Sequence, residues 1–131
     1  MTMTEQANIP GPQRAPGTER FWQAAMEGQL MLRRCTQCGQ VHYYPRVQCP
    51  ICWGDTQWVP SAGTGEVYTF SEMARATPAY VIAYVMLDEG VAMMTHLVDC
   101  DPASIRIGQK VRVVFRTAHD GAVVPMFTPQ D

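Results

Sequence analysis

The chain has 131 residues, 47% of them hydrophobic and only 17% charged, with a formal net charge of −2 at pH 7. That length holds one compact domain or two small ones sharing a core, and the apolar fraction excludes a chain disordered throughout. The charge excludes a general attraction to nucleic acid or anionic membrane, although Lys110 is the only lysine and the other basic residues are arginines, the better fork for a local anion.

In chain order, residues 1–17 read as a disordered or extended arm. Pro10, Gly11, Pro12, Pro16 and Gly17 punctuate it, and it lacks the apolar stretch of a secretory leader. The longest apolar run, 79–87, is too short to span a bilayer, so a cytoplasmic location is expected. Thr18 to Gly28 predicts a short helix. Thr18 is placed to cap it, Glu19 suits the first turn, and Phe21, Trp22, Ala25 and Met26 form one apolar face. Gln29 to Arg34 is extended and leads into the first cysteine pair.

The four cysteines Cys35, Cys38, Cys49 and Cys52 form two Cys-x-x-Cys knuckles ten residues apart. This spacing brings four thiolates onto one tetrahedral ion. Zinc is the expected metal, with rubredoxin-like iron as the alternative for the same ligands. Four protein ligands leave no position for water or substrate, so the metal is structural. Gly39 and Gly54 follow the two knuckles. His42, between the pairs, is not needed as a ligand. Val41 to Tyr44 and Trp58–Val59 predict the remaining ribbon strands, and Tyr43, Tyr44, Trp53 and Trp58 are expected to shield the metal and cover the ribbon face. Cys100 is left over and reads as a reduced, inert thiol.

Ser61-Ala62-Gly63-Thr64-Gly65 reads as a flexible link. Its Gly-x-Gly lacks the lysine and following helix of a phosphate loop. Beyond it the pattern is β. Strands are predicted over 66–71, 80–87, 91–98, 110–115 and 123–127, with turns at Asp88-Glu89-Gly90 and His119-Asp120-Gly121 and a helical turn from Asp101. Five strands with a helical piece between the third and fourth follow the plan of an OB-fold barrel. Pro125 marks the last strand as an edge or exit segment. The fold class is therefore mainly β: a short N-terminal helix, a rubredoxin-like zinc ribbon and a C-terminal five-stranded OB-fold barrel. The expected divisions are an arm (1–17), a helix with lead-in strand (18–32), the ribbon (33–60) and the barrel (61–131).

No catalytic constellation emerges. His42, His96 and His119 fall on different elements. Ser61, Ser71 and Ser104 lack the strand-to-helix elbow of an activated serine. Asp88 and Glu89 are explained as turn residues.

The order of motifs resembles a family of bacterial and archaeal proteins with a zinc ribbon and an OB-fold, associated with acyl-CoA enzymes of the thiolase type. The matching residues run from Phe21-Trp22 through Glu27-Gly28, Leu30, Leu32 and Arg34-Cys35 to Cys38-Gly39, Pro45-Arg46, Cys49-Pro50 and Cys52. In the second half they are Gly63, Gly65, Val67 to Phe70, Asp88-Glu89-Gly90, Ile107-Gly108, Val111, Val113, Phe115, Pro125, Phe127 and Pro129. The resemblance implies a non-catalytic accessory subunit. It would join a thiolase, acyltransferase, aldolase or 3-hydroxy-3-methylglutaryl-CoA synthase in a hetero-oligomer and help position acyl-CoA. Arg33, Arg34 and Arg46 are the candidates for CoA phosphates. The competing class is a nucleic-acid-binding module, which would show basic residues interleaved with exposed aromatics.

Overall fold

The computed structural model describes residues 11–12, 16–76 and 78–130. The arm expected over 1–17 lies for the most part outside the described residues. The helix α1 spans Glu19–Met26. Phe21, Ala24 and Ala25 are its buried residues, at i, i+3 and i+4, which places them on one face. Met26, expected on that face, is 71% exposed. Met26 stands about 200° round the helix from Ala24, so the side that buries Ala24 turns Met26 outward. Thr18 stands before the first turn without capping a backbone N–H. Its Oγ1 accepts from Trp22 Nε1 at 3.2 Å instead.

The ribbon is a three-stranded antiparallel sheet, β1 (Met31–Cys35), β2 (Val41–His42) and β3 (Thr56–Pro60), with β1 in the middle. Arg33 lies opposite both His42 and Trp58. β2 is shorter than the sequence pattern suggests, because Tyr43 and Tyr44 leave the ladder and turn their rings towards Phe21, at 6.0 and 6.1 Å.

The barrel strands are β4 (Thr64–Met73), β5 (Tyr80–Leu87), β6 (Ala92–Leu97), β7 (Lys110–Thr117) and β8 (Val123–Pro129). They close in the order β4-β5-β6-β8-β7, the OB-fold order. Closure depends on a single parallel pair, Leu97 opposite Phe127, and on β4–β7 pairing confined to Thr64–Glu66. Beside Pro125, β8 pairs among the described residues only with β7, which suits its missing N–H. The short 3₁₀ turn Pro102–Ser104 is capped by Asp101 and delivers buried Ile105 to the core.

β4 bulges between Val67 and Thr69 and then parts from β7. From Thr69 to Met73 it pairs, among the described residues, only with β5, so the β4–β5 hairpin extends past the barrel with one edge that none of them pairs.

One hydrophobic core serves all three parts: Phe21, Leu30 and Leu32 join Val67, Val85, Leu87, Met93, Val111 and Phe127 in a single buried cluster. The expected flexible link is tied down. The Glu89 carboxylate accepts from Ser61 Oγ at 3.0 Å and from the Ala62 N–H at 2.8 Å. Ser61 N–H donates to the Leu30 carbonyl at 2.9 Å. A charged acceptor strengthens such bonds, so Glu89 is more than a turn residue: the β5–β6 turn fastens ribbon to barrel.

Candidate metal centre

Cys35 ends β1, and Cys38 follows on the tight turn that β1 makes into β2. Cys49 and Cys52 sit on the equivalent turn before β3. The two knuckles repeat one backbone pattern. Gly39 N–H donates to the Cys35 carbonyl at 3.1 Å, and Trp53 N–H donates to the Cys49 carbonyl at 2.9 Å. Both residues are left-handed, with φ of 76° for Gly39 and 66° for Trp53. The second knuckle thus places a bulky residue where the first has glycine, at a cost in backbone strain. Gly54 is needed for room: a Cβ there would come within 3.2 Å of Cys35 Sγ and 2.8 Å of Gln37 Oε1. The absent side chain lets the second knuckle close over the first cysteine.

The four sulfurs all lie within 4.8 Å of one another. Cys35 Sγ is 3.4 Å from Cys52 Sγ, and Cys38 Sγ is 3.7 Å from Cys49 Sγ. Zinc–thiolate bonds of ~2.3 Å at tetrahedral angles give sulfur–sulfur edges of about 3.8 Å, so the cage has the size zinc requires. Backbone N–H groups of Gln37 and Cys38 point at Cys35 Sγ, at 3.4 and 3.3 Å, and that of Ile51 points at Cys49 Sγ at 3.4 Å. Such donors favour thiolate. The Cys38 N–H leads the effects that draw the Cys35 thiol down to about 6. At Cys38 the Gln40 N–H works the same way, but desolvation and the three neighbouring sulfurs prevail and push it up to about 12. Four thiolates at this spacing repel one another until a divalent cation takes them, and binding then releases protons. Bound zinc supplies a cross-link between the knuckles and offers no open position for substrate.

The other candidates fall around this centre. His42 is buried, and its Nε2 accepts from Arg46 N–H at 3.1 Å. Desolvation, with the nearby Arg33 and Arg46 charges, depresses its pKa and keeps it neutral. It is spent on the loop and is not grouped with the sulfurs. The Arg33 guanidinium lies over the Trp58 ring at 4.4 Å, and burial lowers its pKa. Arg34, next along β1, projects to the opposite face and is exposed, as is Arg46. The three arginines do not converge on one point. Of the aromatics expected as a shield, Tyr43, Tyr44 and Trp58 are partly buried, but Trp53 is 74% exposed and turned outward by its left-handed backbone.

Elsewhere, Cys100 lies between Asp99 and Asp101. Burial, followed by those two charges, raises its pKa, which makes it a poor nucleophile. His96 stacks on Tyr80 at 4.8 Å, and desolvation lowers its pKa. No helix among the described residues is long and apolar enough to cross a membrane.

Comparisons with known proteins agree with this geometry. Residues 22–59 match the family described as "ChsH2, rubredoxin-like zinc ribbon domain" and residues 58–116 match "ChsH2, C-terminal OB-fold domain". A DUF35 domain-containing scaffold protein of Methanothermobacter thermautotrophicus is 36% identical over 95 residues, covering 66% of this chain and 71% of that protein. The benzoylsuccinyl-CoA thiolase subunit BbsA of Thauera aromatica is 28% identical over 130 residues, covering 90% of each. Among solved structures, a chain of the "Ltp2-ChsH2(DUF35) aldolase" superposes with a TM-score of 0.79 at 30% identity, over 91% of this chain and 98% of that one. With a zinc-sized cage of four cysteines on a ribbon, and that ribbon joined to a closed OB barrel, the chain belongs to the ChsH2-type DUF35 family.

Proposed function

We propose that this chain is a non-catalytic accessory subunit of a thiolase-like acyl-CoA enzyme, which it helps to assemble or to supply with acyl-CoA. The observation that carries the reading is the likeness, over nearly its full length, to a chain of an aldolase whose name pairs ChsH2 with Ltp2. The thiolase-subunit name of BbsA points the same way. The chemistry supports it. The four cysteines close the metal to substrate, and no nucleophile, base and orienting group come together among the described residues. In this reading Cys35, Cys38, Cys49 and Cys52 hold zinc as a strut, and the catalytic nucleophile belongs to the partner. Arg33, Arg34 and Arg46 remain the candidates for CoA phosphates, shared with the partner's surface. The subunit works in the cytoplasm, where its thiols stay reduced.

Cation placement does not favour the nucleic-acid alternative. Lys110 is paired with Glu66 and Arg116 with Asp99, which takes two of the barrel's five cations away from any strand-binding surface. The test is co-expression with the thiolase-like subunits of the source genome, followed by purification and a thiolase or aldolase assay. A stable complex whose activity requires both chains is expected. Acyl-CoA turnover by this chain alone, surviving rigorous removal of contaminants, refutes the reading.

A further inference from the structure

The N-terminal helix is the obvious place to look for a docking surface, but its apolar face is consumed internally: Phe21, Ala24 and Ala25 are all buried. The barrel presents a different candidate. On the outside of β4, β5 and β6, opposed residues line up in rows that cross all three strands. Ser71 lies opposite Ile82, which lies opposite His96. Thr69 lies opposite Tyr84, which lies opposite Met94. Met86 adds a third row between Glu66 and Ala92. Tyr80 stacks on His96 at the hairpin end. The face is sparing in charge. Its only formal charge in these rows is Glu66, at one end and already paired with Lys110, and His96 is held neutral by desolvation.

This face is also well exposed. Tyr80 is 38% exposed, Tyr84 45%, Met86 36% and Met94 53%. At ~200 Å² for a fully exposed side chain of this size, these four present roughly 350 Å². That reaches the range of the largest patches on ordinary monomers, which are often functional. It falls short of the ~800 Å² a standard interface takes from each partner, so it fits the apolar centre of an interface whose rim lies on the overhanging hairpin. Exposed tyrosine and methionine are the side chains that such centres favour. The face of the barrel's second and third strands, here β5 and β6, is also where OB-folds generally receive ligands. Here its lack of cations rules out a phosphate backbone and leaves an apolar protein surface as the complement.

We infer that the outer face of β4, β5 and β6, centred on Tyr84 and Met94, is where the thiolase-like partner subunit docks. The inference rests on the accessory reading for the identity of the occupant, and on the barrel itself for the location.

The test uses the full chain co-expressed with the thiolase-like subunits of the source genome, with affinity measured on the purified complex. Tyr84→Glu and Met94→Glu each weaken association by at least 100-fold. The milder Tyr84→Ala and Met94→Ala weaken it about tenfold while zinc content and melting temperature stay at wild-type values. Met26→Glu on the helix and Ile51→Glu on the ribbon change affinity less than threefold. A wild-type complex that tolerates every Tyr84 and Met94 variant overturns the docking face and leaves the accessory reading standing. A wild-type chain that binds no thiolase-like subunit overturns both. A chain that is dimeric alone and becomes monomeric on Tyr84→Glu assigns the face to a second copy and overturns the choice of occupant.

Discussion

Phe21 fastens the helix to the rest of the chain, and its removal has a calculable cost. The ring is 1% exposed. It lies 4.8 Å from Trp22, 6.0 Å from Tyr43 and 6.1 Å from Tyr44, and belongs to the same buried cluster as Leu30, Leu32 and Phe127. Phe21→Ala therefore removes contacts to helix, ribbon and barrel at once and leaves a void that rigid strands do not fill. Truncations of this kind cost ~3–5 kcal/mol. A chain of 131 residues has an unfolding entropy of about 0.28 kcal/mol/K near 60 °C. The melting temperature should accordingly fall by about 10–20 °C. The matched control is Met26→Ala on the same helix. Met26 is 71% exposed, so its loss should cost less than about 0.5 kcal/mol. Both are measured by urea and thermal unfolding with zinc held saturating, so that metal loss does not enter the comparison. Equal costs for the two variants, or a Phe21→Ala cost below about 1 kcal/mol, would refute the assignment of the helix's buried face.

Further outcomes follow from the same geometry. Cys49→Ser, at a buried ligand, should drop bound zinc from one per chain to near zero by metal analysis and reduce the yield of folded protein, since binding and folding are linked in such sites. Glu89→Ala frees Ser61 Oγ and the Ala62 N–H together and should destabilise by ~1–3 kcal/mol, the range for bonds to a charged group; urea unfolding measures it. Trp53→Gly removes a left-handed tryptophan and should stabilise the isolated chain by about 1 kcal/mol, a gain that Trp53→Ala does not reproduce. Cys100 should react with a thiol reagent more slowly than a free thiol at pH 7–8. Its pKa is raised, so the reactive thiolate appears only as pH climbs, and rates from a zinc-loaded sample show this directly.

What the sequence revealed and what it hid divide along physical lines. The cage was legible because its information is local: two identical spacings force two identical turns, and four thiolates in those turns have one common centre. The strands were legible because alternation is a property of neighbours, and Tyr80–Leu87 shows it clearly in its burial. The helix was legible in extent, not in orientation. Ala24 is buried and Met26 exposed because they stand on opposite sides of the helix and the core takes the Ala24 side, whereas hydrophobicity alone favours the larger side chain. The Glu89 tie was hidden because it spans 28 residues back to Ser61, and an acidic residue beside Gly90 already has a sufficient local explanation. The left-handed Trp53 was hidden for the converse reason: a bulky residue rarely takes that conformation, so nothing local in the sequence marks it. The cross-strand rows around Tyr84 depend on register, which only the folded barrel fixes.

The overhanging hairpin has a practical consequence for anyone who purifies this chain. From Thr69 to Met73 no described residue supplies a ladder partner on one side, and Glu72 is the only charge along that stretch. A bare strand border of this kind recruits strands from other molecules. Concentrated stocks held without a companion protein are therefore expected to clump slowly by border-to-border growth. A lysine at Ser71, which faces outward, should extend their shelf life without touching the zinc cage.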